Sequence, residues 1–399
     1  MASSEQRPLA GLRVLDLSRV LAGPYCAMLL GDLGAEVIKV EEPTRGDDTR
    51  AWGPPYVGGE SGYYLSINRN KRGMTLNLKH PEALGIFDRL IAQSDVLIQN
   101  FKVGTLERMG RGDDALERLN PRLIHLAISG FGPDGPYRDR PAYDFVLQAM
   151  VGLMSITGEA EGEPMRLGVA VVDVVTALYG ALGILGALQA REQTGRGQRV
   201  DTSLLESGVA MLVNIAGNYL NSGKAPARHG NAHANIVPYQ TFRAANGHIV
   251  MAIGNDGQFA KLCDILGAPE LAADPRYAGN QARVANRVEL VPILQDIIAR
   301  HTVGHWTDLM IAAGLPAGPI NTIDQVFADP QVLARHMVQR IAHPTAGEIG
   351  LVGVPFKFSE TPAGIDRPPP LLGEHTNQVL SELGYSAEDT AKMRTEGVI

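Results

Sequence analysis

The chain has 399 residues, more than one simple core accommodates, and its composition of 45% apolar and 20% charged residues is that of a globular protein. A net charge of −7 argues against nucleic acid as the main partner, because phosphate binding normally shows as a basic excess. The two cysteines, Cys26 and Cys263, form no CxxC pair, which disfavours a thiolate zinc site and a disulfide framework. With a polar stretch at residues 1–10 in place of an apolar signal core, the expected location is the cytoplasm.

Residues 12–18 (LRVLDLS) predict a strand, 23–33 a helix and 36–41 (EVIKVE) a second strand. Further strands are predicted at 74–78, 95–101 and 122–129, with a helix at 82–93. This alternation predicts a parallel sheet with helices on both faces, whose ligands sit beyond the carboxyl ends of the strands. Two long helices are expected at 168–192 and 202–220, joined by a Gly-rich turn at 194–198 (TGRGQ). After residue 222 the pattern changes. Strands at 239–244 and 248–253 flank Asn246-Gly247, a type I′ hairpin signal, and helices follow at 258–266, 281–300 and 303–313. The tail returns with a strand at 350–358 and a helix near 377–383. The expected organisation is α/β: residues 1–222 and 331–399 in a large domain, and residues 223–330 in a smaller central α+β domain.

The letters GFGPDG at 130–135 match GxGxxG, yet Pro133 and Pro136 interrupt the turns a dinucleotide helix needs, so a tight Gly-Pro loop is favoured. Arg69, Lys71, Arg72 and Lys79 form a basic island, followed by Lys102 and Arg108; a phosphate cradle and a solvated turn both remain open. His229 and His233 are spaced i, i+4 across Gly230, which favours a loop over a metal-binding helix face, and no metal site is expected. Residues 167–190 are apolar with one charge, Asp173. A membrane span would bury that carboxylate in lipid at a cost of roughly 2.5–3.5 kcal/mol, so a helix packed inside a soluble protein is favoured. A buried ion pair or helix cap, and a nucleophile or proton carrier, both remain open for Asp173.

Several segments together resemble the class III CoA-transferase family, which includes carnitine-CoA and formyl-CoA transferases. They are residues 9–16 (LAGLRVLD), 21–24 (LAGP), 34–41 (GAEVIKVE), 46–50 (GDDTR), 70–72 (NKR), 99–101 (QNF), 129–132 (SGFG) and 194–198 (TGRGQ). The resemblance spans nearly the whole chain. It implies a Rossmann-like large domain built from both chain ends, a small central domain, and a homodimer of interlocked rings. It also implies that Asp173, in 168–173 (GVAVVD), is the catalytic nucleophile, and that CoA contacts fall on Leu21, Ala22, Leu76, Lys79, Asn100, Phe101 and Arg108, with Arg140 in place of a family lysine. Glu42 stands where the family has an arginine on the adenine side.

The implied chemistry moves CoA from an acyl-CoA to a carboxylic acid through an aspartyl-CoA thioester, with the CoA thioester as substrate and no tightly bound cofactor. The loop at 228–239 lacks the glycine run of the formyl-CoA enzyme; with His233, Asn235 and Tyr239 it looks more like members that use succinyl-CoA and short dicarboxylates. An α-methylacyl-CoA racemase is the rival within the family, but its base would fall at Tyr143, which is not a histidine. A non-catalytic CoA-binding protein would have no need of Asp173.

Overall fold

The computed structural model describes residues 7–399. They form two compact units: one takes the chain up to Leu153, then Leu167–Asn221 and Pro330–Ile399, and the other takes Met154–Arg166 and Ser222–Asp329.

The first unit is built on six strands: β1 (Arg13–Asp16), β2 (Glu36–Glu41), β3 (Lys71–Thr75), β4 (Val96–Gln99), β5 (Ile124–Ser129) and β6 (Arg199–Ser203). They lie in the order β3-β2-β1-β4-β5-β6, and every neighbouring pair is parallel. Alternation along the strands divides two cores. Val14, Val37, Val96, Ile98 and Leu126 face one side, with Cys26 and Leu30 of helix α1 (Ala22–Asp32). Leu15, Ile38, Met74 and Leu97 face the other, with Ile86, Phe87 and Leu90 of helix α2 (Pro81–Ala92). Both faces are covered, which is why β1, β2, β4 and β5 read as largely apolar runs, whereas β3 (KRGMT) and β6 (RVDTS) do not.

Two more helices matter for the site, α3 (Asp144–Met150) and α4 (Val171–Thr194). A Cβ at Gly180 would lie 2.9 Å from Leu126, so glycine is what lets α4 settle against β5. Gly195, at φ 72°, ends the helix in the left-handed conformation and donates its N–H to the Arg191 carbonyl.

Four expectations are corrected. The third strand begins at Lys71 rather than residue 74, so the basic island is not a solvated turn. Lys79 apart, its charges are buried and paired: Lys71 with Asp16 at 2.9 Å, Arg69 with Asp32 at 2.7 Å, and Arg72 with Glu36 and Glu382. They are not available as a phosphate cradle. The expected long helix at 202–220 is instead strand β6, helix α5 (Leu204–Ala210) and a further helix at Val213–Ser222. The second break falls at Val213, whose φ is 33°. The tail strand expected at 350–358 is Gly347–Val352, paired with Val338–His343 in a hairpin, and residues 353–358 lie outside any strand. In the second unit the reversal between Tyr239–Ala244 and Gly247–Ala252 uses Ala245 and Asn246, neither with positive φ, so it is not type I′. Asn246 instead accepts the Val303 N–H at 2.8 Å, tying the turn to the helix Val303–Ala312.

The second unit is a three-stranded antiparallel sheet, Ala317–Pro319 against Gly247–Ala252 against Tyr239–Ala244. Phe242, Ile249 and Met251 pack under Phe259, Leu294, Trp306 and Met310 of its helices.

Candidate active site

Strand order reverses between β1 and β4, the place where open parallel sheets leave a crevice for ligands. A cavity of about 510 Å³ opens there. Its walls are the segments that leave the strand ends: Arg19–Val20–Leu21–Ala22 after β1, Asn100–Phe101–Lys102–Val103 after β4, Ser129–Gly130 at β5 and Leu204 after β6. Arg108, Arg138, Arg140, Tyr143 and Asp173 complete it. Of the residues singled out in sequence, Leu21, Ala22, Asn100, Phe101, Arg108, Arg140 and Asp173 are brought together here. Leu76 and Lys79 are not: Leu76 is buried in the α2-side core, and Lys79 is exposed. Glu42 closes a local turn, accepting from the Thr44 hydroxyl and the Arg45 N–H.

The cavity carries five basic side chains, Arg19, Lys102, Arg108, Arg138 and Arg140, against three carboxylates, Asp48, Asp139 and Asp173. In a chain of net charge −7 this is a local positive field suited to an anionic ligand. Arg140 lies over the Tyr137 ring at 3.6 Å, which braces its guanidinium. The amino end of α1 has no side-chain cap, and of its first three residues Ala22 and Gly23 carry an N–H while Pro24 has none.

The three carboxylates differ. Asp48 pairs with Arg19 at 3.2 Å, and Asp139 lies 3.7 Å from Arg138. Asp173 has no cationic partner among the described residues. Burial, reinforced by the negative charge of Asp144, pushes its carboxyl up to about 7. The sequence puts Asp173 in the first turn of α4, and Asp144 fixes that turn: one carboxylate oxygen accepts the N–H of Val172 at 2.8 Å and of Asp173 at 3.3 Å. Gln148, one turn along α3, donates to the other Asp144 oxygen at 2.7 Å and accepts the Leu167 N–H at 2.9 Å.

Asp144 and Gln148 were missed in sequence, although their i, i+4 spacing puts both on one face of α3. Tyr63 was missed as well. Burial pushes its phenol to about 12, with further contributions from Asp173 and Asp144, and its ring meets Trp52 edge-on at 5.3 Å.

His233, Asn235 and Tyr239 belong to the second unit. The Asn235 N–H donates to His233 Nδ1 at 3.0 Å, which leaves the ring proton on Nε2, and the His233 and Tyr239 rings are 5.3 Å apart. Neighbouring arginines hold backbone: Arg287 donates to the Ala234 carbonyl at 2.7 Å and Arg228 to that of Gly162 at 2.7 Å. Among the described residues no cluster suited to a metal ion occurs.

The fold and site define a parallel α/β protein whose basic crevice, suited to an anionic ligand, contains a buried carboxylate with no cationic partner among the described residues. The profile of CoA-transferase family III matches residues 9–376. The chain is 45% identical to the human succinyl-CoA:glutarate CoA-transferase over 98% of this chain and 90% of that one. It is 47% identical to succinate–glutarate CoA-transferase of Agrobacterium fabrum over 94% and 96%. A CAIB/BAIF family protein from Brucella suis has the same fold, with TM-score 0.84 and 45% identity over 94% of this chain and 99% of that one. The protein therefore belongs to CoA-transferase family III and is a CoA-transferase, with an acyl-CoA and a carboxylic acid as substrates.

Proposed function

We propose that the protein moves CoA from succinyl-CoA to a short dicarboxylic acid through an aspartyl-CoA thioester on Asp173. The observation that carries this reading is Asp173 itself, an unpaired carboxylate raised to about 7 inside a cavity otherwise dominated by basic groups. Once ionised, a carboxylate of raised pKa is a better nucleophile than an ordinary one.

Asp173 attacks the thioester carbonyl, the C–S bond breaks, and CoA thiolate leaves to give a mixed anhydride. The thiolate then attacks the aspartyl carbonyl, expelling the donor acid and forming the aspartyl thioester. The acceptor carboxylate attacks that thioester, and the same steps in reverse yield its CoA ester and free Asp173. Lys102, Arg108 and Arg140 hold the CoA phosphates, while Leu21, Ala22, Asn100 and Phe101 shape the rest of the CoA site. Uncapped N–H groups of α1 take the developing oxyanion. This chemistry requires no tightly bound cofactor. The strand order is the reason for reading the large unit as Rossmann-like.

The relatives' names point to glutarate as the first acceptor to try, with citramalate, malate and mesaconate next. His233, with Asn235 and Tyr239, selects the acceptor through its Nε2–H; Arg228 and Arg287 are already engaged with carbonyls. The working form is a homodimer. Helix α4 is long and apolar enough to cross a membrane, yet its inner stripe of Thr176, Ala177, Gly180 and Ile184 packs in the core. Its outer stripe exposes Leu178, Tyr179, Leu182 and Leu185, with Leu182 at 64%, and a second copy covers it. Buried, unpaired Cys26 and Cys263 suit a cytoplasmic location.

The test is to mix the protein with succinyl-CoA and a pool of short mono- and dicarboxylates and to identify CoA esters by mass. New esters from the wild type but not from Asp173→Ala support the reading. Free CoA alone, or no change with any dicarboxylate, contradicts it.

A further inference from the structure

The wall formed by Arg19, Val20 and Leu21 has no ladder of its own, and Val20 sits at φ 71°, a conformation that β-branched residues avoid. Such a backbone persists only where its surroundings dictate it. Here the dictating groups are side chains of β1, β2 and the segments that follow β2 and β4. Asp47 Oδ1 accepts the Val20 N–H at 3.2 Å, together with the N–H and hydroxyl of Thr49 at 3.0 and 2.8 Å. Lys39, from β2, donates to Asp47 Oδ2 at 2.8 Å and to the Ser18 carbonyl at 2.9 Å. Asn100, after β4, accepts the Arg19 N–H at 3.0 Å and donates to the Arg19 carbonyl at 2.7 Å. Asp16, at the end of β1, accepts the Ser18 N–H at 3.0 Å.

The Lys39 and Asp47 side chains are both fully buried. A buried ion pair is weak evidence for stability, since a well-packed apolar replacement is often neutral or better. Its contacts here run to the Ser18 carbonyl and the Val20 N–H, and Val20 lines the same cavity as Asp173.

Resting on the CoA-transfer reading above, we infer that Asp47, oriented by Lys39, is a positioning residue that holds Val20 in its left-handed conformation and so aims the Val20–Ala22 wall at the bound thioester. The acceptor oxygen of Asp47 matters more than its charge.

The test uses paired variants that leave no orphan charge. Lys39→Met/Asp47→Asn keeps an oxygen for the Val20 N–H and retains kcat within about threefold, whereas Lys39→Met/Asp47→Ala loses about tenfold or more, as small misplacements near reacting atoms do. Adding Val20→Gly to the alanine pair recovers most of that loss, because glycine adopts positive φ freely. The KM for the carboxylate acceptor stays within about threefold throughout, since the wall faces the thioester. Equal loss in the asparagine and alanine pairs overturns the inference, as does a Val20→Gly background that recovers nothing. If the alanine pair does not fold, Lys39→Met/Asp47→Ser, whose shorter side chain draws the acceptor oxygen back from the Val20 N–H, takes its place and must show the same recovery by Val20→Gly. Absence of transfer by the wild type defeats the functional reading instead, so the two failures are separable.

Discussion

Asp144 and Asp173 share one backbone hinge: the Asp144 carboxylate accepts the N–H of Asp173 at 3.3 Å while its negative charge raises the Asp173 carboxyl. The same side chain therefore fixes the helical turn that carries Asp173 and, together with burial, how readily its carboxyl ionises. Asp144→Asn keeps an acceptor oxygen and removes the charge. The acidic limb of its pH–rate profile is expected to move below the wild-type midpoint. Asp144→Ala loses the cap as well and costs about 1–2 kcal/mol of stability by denaturant titration. A limb that stays in place in Asp144→Asn rules out the electrostatic half of this coupling.

Asp173 must be ionised to attack, so kcat/KM for the acyl-CoA rises with pH through a midpoint of about 7. Stability runs the other way. The folded carboxyl titrates above its ordinary 3.8, so the unfolded chain releases this proton first, and folding loses stability as pH rises from near 3.8 to about 7. Asp173→Asn escapes that loss. Its melting temperature exceeds the wild type's at pH 8, and the gap narrows towards pH 4. A variant that melts below the wild type at pH 8 contradicts the raised pKa.

Arg108 lines the crevice and Lys79 does not. Arg108→Ala therefore raises the KM for acyl-CoA by about tenfold, the value of one charge-assisted phosphate contact, and the effect weakens with added salt. Lys79→Ala changes it far less. Equal effects would place the phosphates elsewhere.

Leu182 is 64% exposed on a helix whose opposite stripe is core. In light scattering the wild type is expected at twice the chain mass of 42.7 kDa, and Leu182→Glu is expected to lower the melting temperature of that dimer by placing a charge in its interface. A wild type that runs as one chain, or that sediments with lipid vesicles, contradicts the dimer.

Much of the sheet was legible because its strands are apolar on both faces; residues 36–41 were placed at the observed bounds of β2. Strand β3 was misplaced because Lys71 and Arg72 look solvated until Asp16, Glu36 and Glu382 arrive from distant parts of the chain. Strand β6 was missed because Arg199 and Asp201 give it the polarity of an edge, where they pair with each other. Asp173 stood out as the single charge in an apolar run. Asp144 did not, since its role is a cap made across 28 positions between two helices, and residue spacing carries no sign of it.

Aspartyl carriage by Asp173 is tested most directly by mass. The protein is incubated with succinyl-CoA, quenched in acid and digested, and the peptide that holds Asp173 is weighed. That peptide is expected to carry CoA as a thioester, to return to its free mass when a dicarboxylate is added before the quench, and to remain unmodified in Asp173→Ala. An unmodified wild-type peptide in a sample that is making CoA esters would contradict the covalent route.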